Sequence, residues 1–312
     1  MGPTESAPPP PVVSVLVVSH NCVEALRRCL AAIEGSRQRK TIEILIVDNG
    51  SVDGSGQLDA DFPRCTILRL PRHFGQTRAS NIGIRTAKGE FVLFLDPDVE
   101  VFPETIASLA ARLSAEPEAV AVCPLLLNPE GEPVSRHGPL PTPEALYRFW
   151  RVDQPIASVA ADPGRESISV DYPGSGAMLV RRHFLLGMNY LDQRYAQHWW
   201  DADLFFRIRT ASRTILLLTA IRATSHGGEG LWKAGDPAAR ATLSADCALG
   251  AAAFVGKHYG FFAGLMFRLR VLLAAFGQAL WALVTFGEVG YSWSRLARIG
   301  RGQKVDGSQQ AF

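Results

Sequence analysis

Through its first hundred residues the chain alternates short apolar runs with amphipathic stretches and polar turns. Val12 to Ser19 is a continuous β-branched run, the pattern of a strand buried on both faces. Leu26, Leu30 and Ile33 then recur at helical spacing within Glu24 to Ile33. A second apolar run, Ile42 to Val47, ends in the polar turn Asp48-Asn49-Gly50-Ser51. A third covers Cys65 to Leu70, Arg78 to Ala87 reads as a helix, and Phe91 to Leu95 is a fourth strand ending at Asp96-Pro97-Asp98. Strands alternating with helices predict βαβ units and a largely parallel sheet. Ligands of such sheets bind beyond the carboxyl ends of the strands. Ser19, Asp48 and Asp96 all fall at such ends and so mark one candidate site.

Further along, Glu104 to Leu113 reads as a helix and Val120 to Leu127 as a strand. Residues 128–170 are rich in Pro, Gly and charge around a helical patch at Glu144 to Trp150, and a connection of this length is usually functional or mobile. Ala177 to Val180 is apolar again, Leu204 to Thr210 continues as helix, and Thr214 to Leu218 is a strand. Phe261 to Phe286 is apolar apart from Arg268, Arg270 and Gln278. Its uncharged part, Val271 to Gly287, is at the lower limit for a spanning helix. Basic residues flank it, so the expectation is an interfacial helix on anionic lipid, with a helix packed on protein as the alternative.

Composition narrows the function classes. With 312 residues, 47% of them hydrophobic and 20% charged, the chain can bury a sizeable core. A net charge of +2 gives no basic footprint for nucleic acid, so none is expected as a partner. The charge is uneven: from Gly256 onward seven Lys/Arg face only Glu288 and Asp306. Five scattered cysteines without a CxxC pair fit a reducing compartment, and Met1 to Pro11 carries neither the basic nor the apolar region of a secretory signal. These features predict a cytoplasmic protein held peripherally at the inner face of the membrane. They divide the chain into a Pro-rich disordered tail (1–11), a folded domain (12–255) and a membrane-associating helical tail (256–312).

Two carboxylates spaced as in Asp96-Pro97-Asp98 face the same side of extended chain and can converge on a hard divalent cation that keeps positions open for phosphates. A plain strand-end turn would use the same residues. Asp48, after a buried strand, can accept from a nucleobase imide or close an Asx-turn. The first strand is followed by neither G-x-G-x-x-G nor a P-loop.

Taken together, Val-Ser-Val-Leu-Val-Val-Ser-His-Asn, Ile-Leu-Ile-Val-Asp-Asn-Gly-Ser-Val-Asp-Gly-Ser, the stretch from Phe74-Gly75 to Gly89-Glu90, and Asp96-Pro97-Asp98 resemble glycosyltransferase family 2, in particular its rhamnosyltransferase-like branch. The resemblance runs from about Val12 to Gly228. It implies an α/β GT-A fold with a mostly parallel central sheet, to which the C-terminal apolar helical appendage is added. The nucleotide half would cover about 12–100 and the acceptor half about 101–232. The implied activity is inverting transfer of a hexosyl unit from a nucleotide diphosphate sugar to a hydroxyl of a glycan or lipid-linked acceptor. Asp48 would recognise the base, with Ser19, Asp53, Arg78 and Asp96 lining the nucleotide pocket. Asp98 would coordinate Mg²⁺ or Mn²⁺, joined by His226 from Ser225-His226-Gly227.

Pro173-Gly174-Ser175-Gly176-Ala177 and Trp200-Asp201-Ala202-Asp203 also resemble family segments, which makes Asp201 the catalytic base. Trp200 departs from the Glu usual there, and His73 from the usual Asn. Without the resemblance, Asp201 would read as a helix N-cap and Asp203 as a first-turn acid. The other histidines (His20, His137, His183, His198, His258) have no partner legible in the sequence. A sugar-1-phosphate nucleotidyltransferase is the alternative enzyme, though its Gly-rich opening is missing. A non-catalytic sugar-nucleotide-binding protein is the alternative from another class.

Overall fold

A computed structural model describes residues 11–152, 154–156, 159–174, 176–227 and 237–307. Most of the N-terminal Pro-rich tail, Ser175 and residues 228–236 lie outside the described residues. The expected strands form first: β1 (Val13–Ser19), β2 (Ile42–Asp48), β3 (Cys65–Arg69) and β4 (Phe91–Leu95). They lie parallel in the order β3-β2-β1-β4, connected through α1 (Val23–Glu34) and α2 (Gln76–Thr86). The order reverses between β1 and β4, and a doubly wound sheet opens a crevice at that point.

The second half adds β5 (Val99–Val101), α3 (Thr105–Ala115) and β6 (Ala119–Leu127), then β7 (Arg136–Gly138), α4 (Pro143–Val152), β8 (Val159–Ala160), β9 (Ser167–Ser169) and β10 (Tyr172–Pro173). The long connection is therefore structured: β10, β7 and β8 form a small antiparallel sheet, and α4 buries Leu146 and Trp150. Next come β11 (Ala177–Arg181), α5 (Arg182–Gly187), α6 (Trp200–Thr210) and β12 (Thr214–Ser225). β11 enters the main sheet antiparallel between β4 and β6, while β6 and β12 run parallel to each other. β12 is longer than its apolar core implies. After a register shift between Leu218 and Arg222 it goes on to pair with β5, where backbone pairing replaces apolar burial.

α1 and α3 cover one face of the sheet through Leu26, Leu30, Ile33, Ile106, Leu109 and Leu113. α2 and α6 cover the other through Ala79, Ile84, Leu204, Phe205 and Ile208. A further layer is built from α4, α7 (Pro237–His258), α8 (Phe261–Thr285) and α9 (Val289–Arg301) around Trp150, Tyr195, Trp199 and Phe254. The expected domain boundary at 255/256 falls in the last turn of α7. Helix α8 approaches α7 closely at Gly264, where a Cβ would stand 2.6 Å from the Gly256 Cα.

Candidate active site

At the carboxyl ends of β1 and β4 lies a cleft of about 580 Å³. Ser19, Asp96, Asp98 and Asp201 all line it. Asp96 sits one residue past β4, where its amide donates to Gly176 O at 2.8 Å and its own carbonyl accepts from Val99 at 3.0 Å. Burial, then the neighbouring Asp98 and Asp201 carboxylates, push the Asp96 carboxyl up to about 7. Carboxylates crowded this way oppose one another's ionisation, and a hard cation between them and a diphosphate would relieve that opposition. Ser19 Oγ is buried with no hydrogen-bond partner among the described residues.

Asp48, aligned with Ser19 across β1 and β2, is buried beside the cleft and is not part of its wall. Its Oδ1 also lacks a hydrogen-bond partner among the described residues, and its Oδ2 rests against Gly56, where a Cβ would approach to 2.9 Å. The next residue, Asn49, ties the loops of this end together. It donates to Gly75 O and accepts from the Phe74 amide, and its carbonyl meets His20 Nδ1 at 2.9 Å. The His20 and His73 rings meet edge to face at 4.6 Å, and burial followed by His20 lowers His73 to about 4.

On the opposite wall, Asp201 lies in the first turn of α6 and accepts from the Tyr172 hydroxyl at 3.0 Å. The N-cap position belongs to Trp199, with φ +71°, so Asp201 is not the cap. Burial raises the Asp201 carboxyl above the usual carboxylate range, against the backbone of Ala202 and the Tyr172 hydrogen bond, which lower it. A carboxylate with a raised pKa in a cleft is suited to take a proton. Both tryptophans line the cleft, but Trp199 is buried, its Nε1 donating to Cys247 O at 2.8 Å, whereas Trp200 is half-buried against Phe94.

Besides Asp48, three more of the expected site residues stand away from this wall. Asp53 accepts from the Val23 amide at 2.9 Å and from both Ser55 groups, so its carboxylate closes the loop onto the start of α1. Arg78 points to Asp306, 3.7 Å away in the C-terminal segment. The His226 amide donates to Asp98 O at 3.0 Å, yet its ring Nε2 stands 2.9 Å from Glu100 Oε1. Among the described residues, no three His, Cys, Asp or Glu side chains converge as a preformed metal site. Two carboxylates plus substrate phosphates remain a sufficient donor set for Mg²⁺ or Mn²⁺.

A family profile described as glycosyl transferase family 2 matches residues 14–172. The chain belongs to this family. It is 26% identical over 219 residues, 64% of the chain and 71% of the relative, to an N-acetylglucosaminyl-diphospho-decaprenol L-rhamnosyltransferase of Mycobacterium tuberculosis. Of other curated relatives, among them two N-acetylglucosaminyltransferases of Sinorhizobium fredii and Mesorhizobium japonicum and a succinoglycan biosynthesis protein of Rhizobium meliloti, the match spans only between 14% and 38% of their length. Among solved structures, a mannosyltransferase of Pyrobaculum calidifontis with GDP-Man and Mn²⁺ aligns at TM-score 0.52 and 17% identity, covering 95% of this chain and 90% of that one. GalNAc-T7 with UDP, GalNAc and Mn²⁺ aligns at TM-score 0.54 and 17% identity, over 79% and 48%. This likeness shows the fold, and the chain has the GT-A architecture expected of the family.

The family motifs leave out several buried ionic groups that the structure reveals. His198 lines the cleft with its Nδ1 2.9 Å from the buried Asp246 of α7. Asp203, almost fully buried, meets His258 Nε2 at 2.7 Å and Lys257 Nζ at 2.9 Å. Burial alone would raise the Asp203 carboxyl, but those two partners outweigh it and hold it below the usual range. The C-terminal segment folds back onto the nucleotide half, where Asp306 O accepts from Arg72 Nη1 at 2.9 Å. No periodicity marks these pairs, because their partners lie about fifty or more residues apart in the chain.

Proposed function

We propose that the chain is an inverting hexosyltransferase that moves a sugar from a nucleoside diphosphate donor to a hydroxyl of a glycan or lipid-linked acceptor. The observation that carries this reading is the meeting of Asp96, Asp98 and Asp201 in one cleft at the reversal of strand order. Asp98 and Asp96 would hold a divalent cation, and His226 would join only by turning its ring from Glu100. When bound, that cation neutralises charge on the departing nucleoside diphosphate. The unsatisfied Asp48 Oδ1 is suited to accept from a nucleobase N–H.

Asp201 takes the proton of the acceptor hydroxyl as its oxygen attacks the anomeric carbon. The bond to the β-phosphate oxygen breaks and its electron pair leaves with the diphosphate. A single displacement of this kind inverts the anomeric centre. Rhamnose is the sugar named for the Mycobacterium tuberculosis relative, and a polyprenyl diphosphate sugar is its acceptor, which favours the lipid-linked reading. The test is thermal unfolding against UDP-, GDP- and dTDP-hexoses with and without Mn²⁺. At least one should raise Tm only with the cation, and no shift with any of them would overturn the reading.

We also propose that α8 rests on the inner membrane surface. Helices α7 and α8 are both long and apolar enough to cross a bilayer, but α7 is mostly buried in protein. α8 packs Phe267, Val271, Ala275 and Ala279 inward and exposes Phe262, Met266, Leu269, Leu273, Phe276 and Leu280 as a continuous stripe. Much of the basic surplus expected to draw anionic lipid is either buried or already paired with a carboxylate. Arg268, Arg295 and Lys304 are buried, Arg270 pairs with Glu144, and Lys257 pairs with Asp192. Attachment should therefore be mainly apolar and only weakly sensitive to salt. The protein should sediment with phosphatidylglycerol vesicles, and glutamate at Phe262, Leu269 and Leu273 together should cut partitioning at least about tenfold. Equal recovery of both proteins in the supernatant would refute the assignment.

A further inference from the structure

No described residue of α7 lines the cleft, yet this helix grips the segment that carries Asp201 from both sides. Upstream, Asp246 accepts from the Gln197 amide at 3.1 Å, the His198 amide at 3.3 Å and His198 Nδ1 at 2.9 Å. Trp199 donates its indole N–H to Cys247 O. Gly250 lets the ring in, since a Cβ there would lie 2.9 Å from Trp199 Cδ1. Downstream, the last turn of α7 places Lys257 and His258 on Asp203, which also accepts from the Tyr195 hydroxyl at 3.3 Å. Lys257 reaches Asp192 as well, at 2.7 Å.

Helical residues advance about 100° each, so Asp201 and Asp203 project to opposite sides of the first turn of α6. Asp201 faces Tyr172 and the cleft, and Asp203 faces α7. Fixing Asp203 therefore fixes the rotation of that turn about its own axis, and with it the direction of the Asp201 carboxylate. Removing carboxylate, ammonium and imidazole from water is costly unless geometry holds them together. Here three such groups meet two residues from the acid that must meet an acceptor hydroxyl.

We propose that Lys257 and His258 are positioning residues that act through Asp203 to aim Asp201 at the acceptor. The inference rests on the reading of Asp201 as base. Misplacement of a reacting group by about 1 Å can cost on the order of 100-fold in rate, and donor binding on the opposite wall should not register it.

The test compares His258→Leu with His258→Gln, whose amide nitrogen can occupy the place of Nε2, and Lys257→Met with Lys257→Arg. Turnover would be followed as nucleoside diphosphate released from the sugar nucleotide that stabilises the protein, with an N-acetylglucosaminyl diphospholipid as acceptor. All proteins would be measured below their own unfolding transitions, alongside their affinity for the nucleoside diphosphate with Mn²⁺. His258→Leu and Lys257→Met should lower kcat by about 10- to 100-fold while nucleotide affinity stays within about twofold. His258→Gln should recover most of the loss. If Lys257→Met does not fold, Lys257→Arg takes its place, because it keeps the charge but displaces the contact, and a reduced kcat is again expected.

Wild-type kcat in a folded His258→Leu protein overturns the inference. So does a parallel fall of kcat and nucleotide affinity, which would indicate general loosening, or a Gln variant no better than Leu. Asp201→Asn, assayed beside them, separates the two levels. Full transfer in Asp201→Asn overturns the base itself. Transfer lost there but retained in His258→Leu and Lys257→Met overturns only the positioning.

Discussion

Replacing Asp98 by alanine is expected to abolish cation-dependent binding of nucleoside diphosphates by a chain that remains folded. The turn that carries Asp98 is held by backbone groups. The Val99 amide bonds Asp96 O, and Asp98 O accepts from the His226 amide, so both bonds survive loss of the carboxylate. What is lost is one of the two carboxylates proposed for the cation. Partners one shell further out already cost about 10- to 100-fold in metal affinity when removed, so a direct ligand should cost at least that. Calorimetric titration of UDP, GDP and dTDP with and without Mn²⁺ measures the effect. An Mn²⁺-dependent affinity equal to that of the parent protein would remove Asp98 from the cation site.

Asp201→Asn should leave donor binding intact while transfer falls by about 10²- to 10⁴-fold, the usual contribution of a general base. The substitution keeps the side-chain volume and an oxygen for the Tyr172 hydroxyl at 3.0 Å, but it removes the group that takes the proton. A cap role cannot account for such a loss, since Trp199 holds that position. The acid limb of the rate profile offers a second measurement. Transfer needs Asp201 ionised, so activity should fall as pH drops through a pKa that burial has raised. The Tyr172 hydroxyl favours the ionised form, and Tyr172→Phe should therefore move this limb to higher pH. Near-normal transfer by Asp201→Asn, or an acid limb unmoved in Tyr172→Phe, would count against the base.

Much of this protein is legible along the chain because local pattern and backbone geometry cooperate there. The β-branched runs at Val12 to Ser19 and Ile42 to Val47 can satisfy themselves only as buried strands, and both are strands, Val13–Ser19 and Ile42–Asp48. Parallel strands present their carboxyl ends along one edge, which is why Ser19, Asp48 and Asp96 mark one candidate site in the sequence; in the structure Ser19 and Asp96 line the cleft together with Asp98, and Asp48 is buried beside it. Asp53 and Arg78 have residue types suited to a nucleotide pocket, one in the loop after β2 and one in the first turn of α2. Which carboxylate faces the cleft and which closes a turn is decided by competing hydrogen bonds, and sequence does not rank those. Asp53 is taken by Val23 and Ser55, and Arg78 by Asp306.

The helical layer shows the limit most clearly. Both α7 and α8 are long and apolar enough to cross a bilayer, and composition alone cannot separate a helix buried in protein from one with an open face. Only packing does so, by closing α7 between α4, α8 and α9 and leaving one side of α8 bare. The same holds for charge. From Gly256 onward the sequence determines a basic surplus, but burial and pairing decide that Lys257 and His258 meet Asp203, more than fifty residues away. A hydrogen bond between such groups depends on distances of about 3 Å that no local periodicity encodes, and the tertiary structure alone supplies them.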